Sequence, residues 1–528
     1  FDVVFDSQSA GTKVDSATIT HGIESFVSRF DRQFQSRFPT RHDAPSDELA
    51  FSKAITSNLM GGIGYFYGSS IIDRAYKADW DQDEDDEEDQ TVVKPEPKLQ
   101  PPRSLLTATP SRSFFPRGFY WDEGFHLLLI GAWDNDLSLE ILKDWVDLID
   151  DDGWVGREQI LGEEARSKVP EQFQAQYPSN ANPPTLTMAV TAFIERLLSN
   201  RSGSGPTDEE LGLGGDSQKV FASGGSNEYG NSKESNKHLL DHGLALSYLR
   251  SIYPPLRRHY DWFRSTQRGQ IKAYARKARS RTEAYRWRGR TQDHVLTSGM
   301  DDYPRGPPHA GELHLDLISW MGFFTRTMKS IATFLGEKED EAYFAEIEAN
   351  ILGNIEDLHW SEENEMYCDL GVNDDDESVH VCHKGYLSLF PFLLGLLPPS
   401  SPHLGPILDL LRDSKHLWSP YGLRSLSASH PLFGQGENYW RGPIWIQMNY
   451  LALSSLYKVY AAEPGPYQEK ARQIYEELRE NVVKNVYKEY KKTGYVWEQY
   501  DPMTGEGKRS HPFTGWTSLV TLIISEKY

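Results

Sequence analysis

Five stretches of the chain concentrate carboxylic acids, four of them beside aromatic rings: 114–126, 297–305, 312–316, 437–445 and 497–502. An aromatic face can stack on the C–H face of a pyranose while neighbouring carboxylates bind its hydroxyls. Two carboxyls of different proton affinity can also hydrolyse an acetal, one protonating the leaving oxygen and one activating water. In the first stretch Phe119, Tyr120 and Trp121 precede Asp122 and Glu123, with Arg117 just upstream. Asp122 and Glu123 fit either a sugar pocket or the acidic first turn of a helix, which the helix dipole favours. In the second, Gly299 and Pro304 exclude a regular helix and put Asp301 and Asp302 on a tight loop before Arg305. A paired Asp there fits a turn-forming hydrogen bonder as well as a catalyst.

In the third stretch Glu312 and Asp316 are four residues apart, a spacing that puts both on one helical face. They can grip hydroxyls or simply open a helix, while His314 reads as a hydrogen-bonded structural residue. The fourth holds Glu437, Trp440 and Arg441, and the fifth sets Glu498 between Trp497 and Tyr500. Arg305 and Arg441 can orient carboxylates by bidentate pairing.

Apolar residues at helical spacing must carry these loops. The stripe of Ile23, Phe26, Val27 and Phe30 is followed by others over 46–68, 123–148, 184–199, 238–264, 313–335, 339–357, 383–397, 402–413, 440–461, 465–489 and 513–526. About a dozen amphipathic helices joined by loops rich in Gly, Pro, Trp and Asp predict an all-α fold. A closed toroid of helix pairs would gather the loops at one end. From Asp79 to Asp89 nine of eleven residues are acidic, and 202–236 is rich in Gly, Ser and Asn. Disordered insertions are therefore expected at 79–102 and 202–236. Asn200, Arg201 and Ser202 form a glycosylation acceptor triplet.

A formal charge of −22 repels phosphate backbones and anionic membrane surfaces, which argues against a nucleic-acid partner. No apolar run is long enough to span a bilayer. Cys368 and Cys382, the two cysteines of the chain, fit one bridge or two buried thiols. Without a CxxC spacing they make a poor metal site, so no metal is expected. The alternating start, from Phe1 to Phe5, reads as a strand ending an earlier domain.

The runs YWDEGFH (120–126), SGMDDYPR (298–305), ELHLDL (312–317), ENYWRGPIW (437–445) and WEQYDPMTG (497–505) resemble, in order, those of glycoside hydrolase family 63. The resemblance extends along the whole chain. It implies an (α/α)6 barrel over 16–528, with residues 1–15 a linker or the end of a preceding β-sandwich domain. It implies removal of the outermost α-1,2-linked glucose from a triglucosylated N-glycan with inversion. Asp301 would be the general acid and Glu498 the general base. Glu312 and Asp316 would bind substrate, and Arg117, Tyr120, Trp121, Asp122, Trp440 and Arg441 would line the glucose pocket. Glu123, Asp302, Glu437 and Trp497 complete the substrate-binding candidates. No cofactor is implied. The partner would be the glycan of nascent glycoproteins, met by a monomer in the lumen of the endoplasmic reticulum and anchored by a transmembrane segment outside this chain. Another (α/α)6 glucosidase such as a trehalase, or a glycan binder without turnover, would fit the same residue types. We expect Asp301 to hold its proton because Asp302 beside it disfavours a second charge.

Overall fold

A computed structural model describes residues 15–41, 47–76, 94–201 and 235–528. Six helices form an inner ring: Tyr120–Trp133, Leu186–Arg201, Leu315–Leu335, Phe390–Leu393, Ile446–Ser455, and Val520–Ile524 with the 3₁₀ turn Trp516–Leu519 ahead of it. Each packs on the next, and Trp516–Leu519 packs back on Tyr120–Trp133, so the ring closes. In chain order an outer helix precedes each of them: Glu48–Gly61, Asn135–Asp147, His242–Thr266, Lys338–Asn354, Leu404–Arg412 and Gln468–Thr493. This alternation is an (α/α)6 barrel, the all-α toroid that the hydrophobic pattern predicts.

Burial explains which helices lie inside. Ile446–Ser455 buries nine of its ten residues and Tyr120–Trp133 eleven of fourteen, as helices covered on every side must. Gln468–Thr493 instead buries a stripe through Ala471, Ile474, Leu478, Val482, Val486 and Glu489 and leaves the opposite face to water. Gly124 lets two inner helices approach: a Cβ there would stand 2.3 Å from the Thr185 backbone.

Several expected elements divide differently. The 123–148 stripe is two helices, because Asp134 is extended and its carboxylate accepts from Leu137 N–H at 3.0 Å, capping Asn135–Asp147. The 46–68 stripe ends as a helix at Gly61, and Ile63–Gly68 pairs antiparallel with Arg103–Ala108. Within the insertion expected at 79–102, residues 94–102 are placed, and Lys98–Leu99 pairs with Ile71–Ile72. Ser235 and Asn236, at the end of the other, are placed too: Ser235 C=O accepts from Asp136 N–H at 3.0 Å. The N-terminal strand, the acidic run and 202–234 lie outside the described residues. So do the side chains of the glycosylation triplet.

Cys368 and Cys382 form a disulfide across 4.7 Å between Cα atoms, at the open end of the Asp369–Val372 and Ser378–Val381 hairpin. Among the described residues no helix is long and apolar enough to cross a membrane.

Candidate active site

The N-terminal ends of inner helices surround a cavity of about 620 Å³, counting the space at its mouth. Trp121 and Asp122 enter it from the first turn of Tyr120–Trp133, and Trp440 from the loop before Ile446–Ser455. Trp516 opens the last inner turn. The Trp121 ring stands 6.1 Å from that of Trp440 and 5.8 Å from that of Trp516. Trp440 in turn stacks on Trp445 at 4.0 Å with planes 4° apart, which stiffens this wall. Gly299 sits at φ 76°, and a Cβ there would meet the Trp121 indole at 2.9 Å, so the loop needs glycine to turn beneath the ring.

Four carboxyl side chains line this cavity: Asp122, Glu158, Asp301 and Glu498. Asp301 is partly exposed to it, and its carboxyl is pushed up to about 7. Burial is the main cause; Arg157 opposes it, and Asp302, Glu158 and Glu437 add to it. The proton is therefore held chiefly by desolvation, with Asp302 a lesser contributor than the sequence led us to expect. Asp122 is raised well above an ordinary carboxyl, again by burial first and then by Glu123, Glu498 and Glu158. Glu498 accepts hydrogen bonds from the Tyr439 hydroxyl on Oε1 and from Ser510 N–H at 3.0 Å on Oε2. Glu158 is ion-paired: Arg117 reaches its Oε2 at 2.8 Å and Arg157 its Oε1 at 3.0 Å.

The structure brings Trp121, Asp122, Asp301, Trp440 and Glu498 together, and sets the other candidates apart. Arg117 stands behind Glu158, its guanidinium 4.6 Å from the Phe119 ring centre. Tyr120 is a core residue whose hydroxyl bonds His259 Nε2 at 2.7 Å. Glu123, fully buried, accepts from Ala108 N–H at 3.1 Å and pairs with His126 Nδ1 at 2.8 Å. Asp302 ties loops together: its carboxylate accepts from Trp440 N–H at 2.6 Å and Tyr439 N–H at 3.1 Å, and its carbonyl from Arg441 Nε at 2.7 Å. Trp497 stacks on His511 at 3.8 Å. Glu437 is exposed, 3.1 Å from His294 Nε2.

Glu312 and Asp316 do not share a helical face, because the helix begins at Leu315. Both are buried against arginine. Asp316 takes a bidentate pair from Arg305 at 3.2 and 2.6 Å, and Arg290 Nε stands 3.3 Å from Glu312. Neither lines the cavity.

Arg157, Glu158, Asn182 and Tyr439 line it without having been candidates. Tyr439 lies inside a recognised run, whereas Arg157 and Glu158 follow Gly153, Trp154 and Gly156 in a loop with no aromatic–acid doublet. Gly118–Phe119 pairs with Glu158–Gln159, and that pairing carries them to the pocket.

Alternating inner and outer helices with acids gathered at one end define the class as an (α/α)6 barrel of the glycosidase type. Residues 14–526 match the Glycosyl hydrolase family 63 C-terminal domain, and the chain belongs to that family. It is 50% identical to a "Probable mannosyl-oligosaccharide glucosidase" of Schizosaccharomyces pombe, over 100% of this chain and 65% of that protein. It is 41% identical to a "Mannosyl-oligosaccharide glucosidase" of Saccharomyces cerevisiae, over 99% of this chain and 63% of the relative. The chain thus spans less than two thirds of these relatives' length. The solved GH63 mannosylglycerate hydrolase of Thermus thermophilus in complex with glucose shares the fold, with a TM-score of 0.52 at 16% identity over 80% of this chain and 96% of that one.

Proposed function

We propose that this chain is the catalytic portion of a mannosyl-oligosaccharide glucosidase. It acts as an exo-α-glucosidase that removes the terminal α-1,2-linked glucose of the triglucosylated N-glycan with inversion. The observation that carries the reading is the pairing, in one tryptophan-walled pocket, of a carboxyl pushed up to about 7 with a second carboxylate held by two donors. The likeness to two proteins named as such glucosidases supports the substrate class.

Asp301, protonated near neutrality, delivers its proton to the glycosidic oxygen. Glu498 takes a proton from the water that attacks the opposite face of the sugar. The Tyr439 and Ser510 donors hold its carboxylate in place for that step. Asp122 and Glu158 face the sugar hydroxyls, and the indoles of Trp121, Trp440 and Trp516 exclude water, which strengthens each polar contact. The compartment is the lumen of the endoplasmic reticulum, where nascent glycoproteins carry this glycan.

The test follows the anomer released from a triglucosylated oligosaccharide by NMR, beside trehalose as a competing substrate. β-Glucose from the glycan supports the reading; α-glucose, or preference for trehalose, overturns it. Activity falls as pH rises through about 7, where Asp301 loses its proton.

A further inference from the structure

The connection from His242–Thr266 to Leu315–Leu335 carries Asp301 and lies at the same end of the barrel as the pocket. Its first part is charged against the rest of the molecule. Residues 264–290 hold Arg or Lys at ten positions and one acid, Glu283, in a chain whose formal charge is −22. Several of these cations brace the loop itself. Arg264 pairs with Glu283, and Arg290 with Glu312. Arg276 donates from all three guanidinium nitrogens, to Ser378 Oγ at 2.9 Å and to the carbonyls of Gln270 and Gly311 at 2.6 Å each. Asn354 holds the next stretch, accepting from Ser280 N–H at 2.8 Å and donating to the carbonyls of Ser280 at 2.9 Å and Glu283 at 2.7 Å.

Five other cations brace nothing by charge. Arg268, Lys272, Lys277, Arg279 and Arg281 are exposed, and none makes an ion pair or a side-chain hydrogen bond with any described residue. Tyr274 and Ala275, at φ 58° and 51°, turn the chain between Lys272 and Lys277. The acids Asp374, Asp375, Asp376 and Glu377, in the hairpin turn before Ser378, form no ion pair with them either. Like charges held together on a braced surface repel one another, so they oppose the packing of the loop rather than explain it.

We propose that this surface binds an acidic polypeptide segment of a partner protein, beside the mouth of the pocket. The five unpaired cations supply the complement to a run of carboxylates, and arginine adds bidentate pairing. Two features select a polypeptide over an anionic bilayer. No large apolar side chain of residues 264–290 is exposed, so the loop has nothing to bury among lipids. A charge of −22 also repels an extended anionic plane, whereas a thin peptide lies within a Debye length of about 8 Å of these cations and clear of the acids beyond.

The test uses the whole chain and a dye-labelled peptide of Asp and Glu spaced by Gly and Ser, read by fluorescence anisotropy at physiological salt. Wild type binds the peptide, and the triple variant Lys272→Glu, Lys277→Glu, Arg281→Glu weakens the Kd about tenfold. Arg279 is left in place because its stem packs on Gly353. The conservative triple variant Lys272→Arg, Lys277→Arg, Arg281→Lys keeps the wild-type Kd. No binding by wild type, an equal Kd in the charge-reversed variant, or an equal loss in the conservative one overturns the proposal. So does binding to phosphatidylserine vesicles without binding to the peptide. A last variant replaces the acids of 79–89 by Asn and Gln. Peptide binding seen in that variant alone means that the chain's own acidic run takes the surface, which overturns an external partner.

Discussion

Two groups of acids, with Asp301 and Glu312 only eleven residues apart, behave oppositely. Asp316, with Asp369 beside it, is matched by Arg305, while Glu312 has Arg290; Leu315 N–H donates to Asp369 at 2.8 Å as well. Arg305 holds Asp369 below the usual carboxylate range despite burial. In the pocket, buried Asp122 and partly exposed Asp301 have no ion-pair partner among the described residues, and desolvation raises both. The same residue type is thus an ion in one place and an acid in the other. The arginine count beside it decides which. The matched group fastens the loop ahead of Leu315–Leu335; the unmatched group is left poised to give up or take a proton.

The largest effects come from removing the unmatched acids' chemistry. Asp301→Asn and Glu498→Gln each lower kcat by about 10²–10⁴-fold with an unchanged circular dichroism spectrum. Near-native turnover of either variant on the natural glycan sinks the assignment. Next comes the matched group. Arg305→Met strands Asp316 and Asp369 without their cation and costs about 3–5 kcal/mol, read by chemical denaturation. A loss below about 1 kcal/mol, the scale of a surface pair, erases the contrast.

A third measurement turns on pH. Native Asp301 binds its proton near pH 7 and the unfolded chain near 3.8, so its contribution to stability is full below about 4 and lost as pH rises through 7. Asp301→Asn does not titrate. It therefore gains stability over wild type between pH 4 and pH 8, by on the order of 1–3 kcal/mol, and Asp369→Asn, at a carboxyl that burial raises but Arg305 holds down, does not. Equal pH dependence of the two variants contradicts the comparison. The smallest effect is at Tyr439→Phe, which removes one donor from Glu498. It lowers kcat about tenfold and leaves KM nearly unchanged in steady-state assays.

The helices were legible because a closed ring needs apolar stripes of fixed period; the first stripe is the exception, since Ser16–Arg37 is not one of the ring helices and leaves Ile23, Phe26, Val27 and Phe30 exposed. Boundaries failed where a local cap won: the Asp134 carboxylate ends one helix by starting the next. Asp122, Asp301 and Glu498 could be picked out because each sits in a dense run of rings and acids. Whether an acid meets substrate is another matter, since the deciding partner lies far along the chain. Glu312 looks free beside Asp316 until Arg290 is folded over it. Asp302 looks like a catalytic twin of Asp301 until the backbone of residues 439 and 440 claims both its oxygens. Glu158 had no such run to mark it and reaches the pocket through strand pairing with 118–119.

The seam of the barrel joins residues four hundred positions apart: Thr514 N–H donates to Pro110 C=O at 2.7 Å, and Trp516–Leu519 packs on Tyr120–Trp133. A ribosome therefore delivers Asp122 and Asp301 well before it delivers Glu498 and Trp516. Under the proposed roles, the carboxylate that activates water and the last wall of the pocket are thus the final parts of the site to be made, and hydrolytic competence arrives in one step, as the circle shuts.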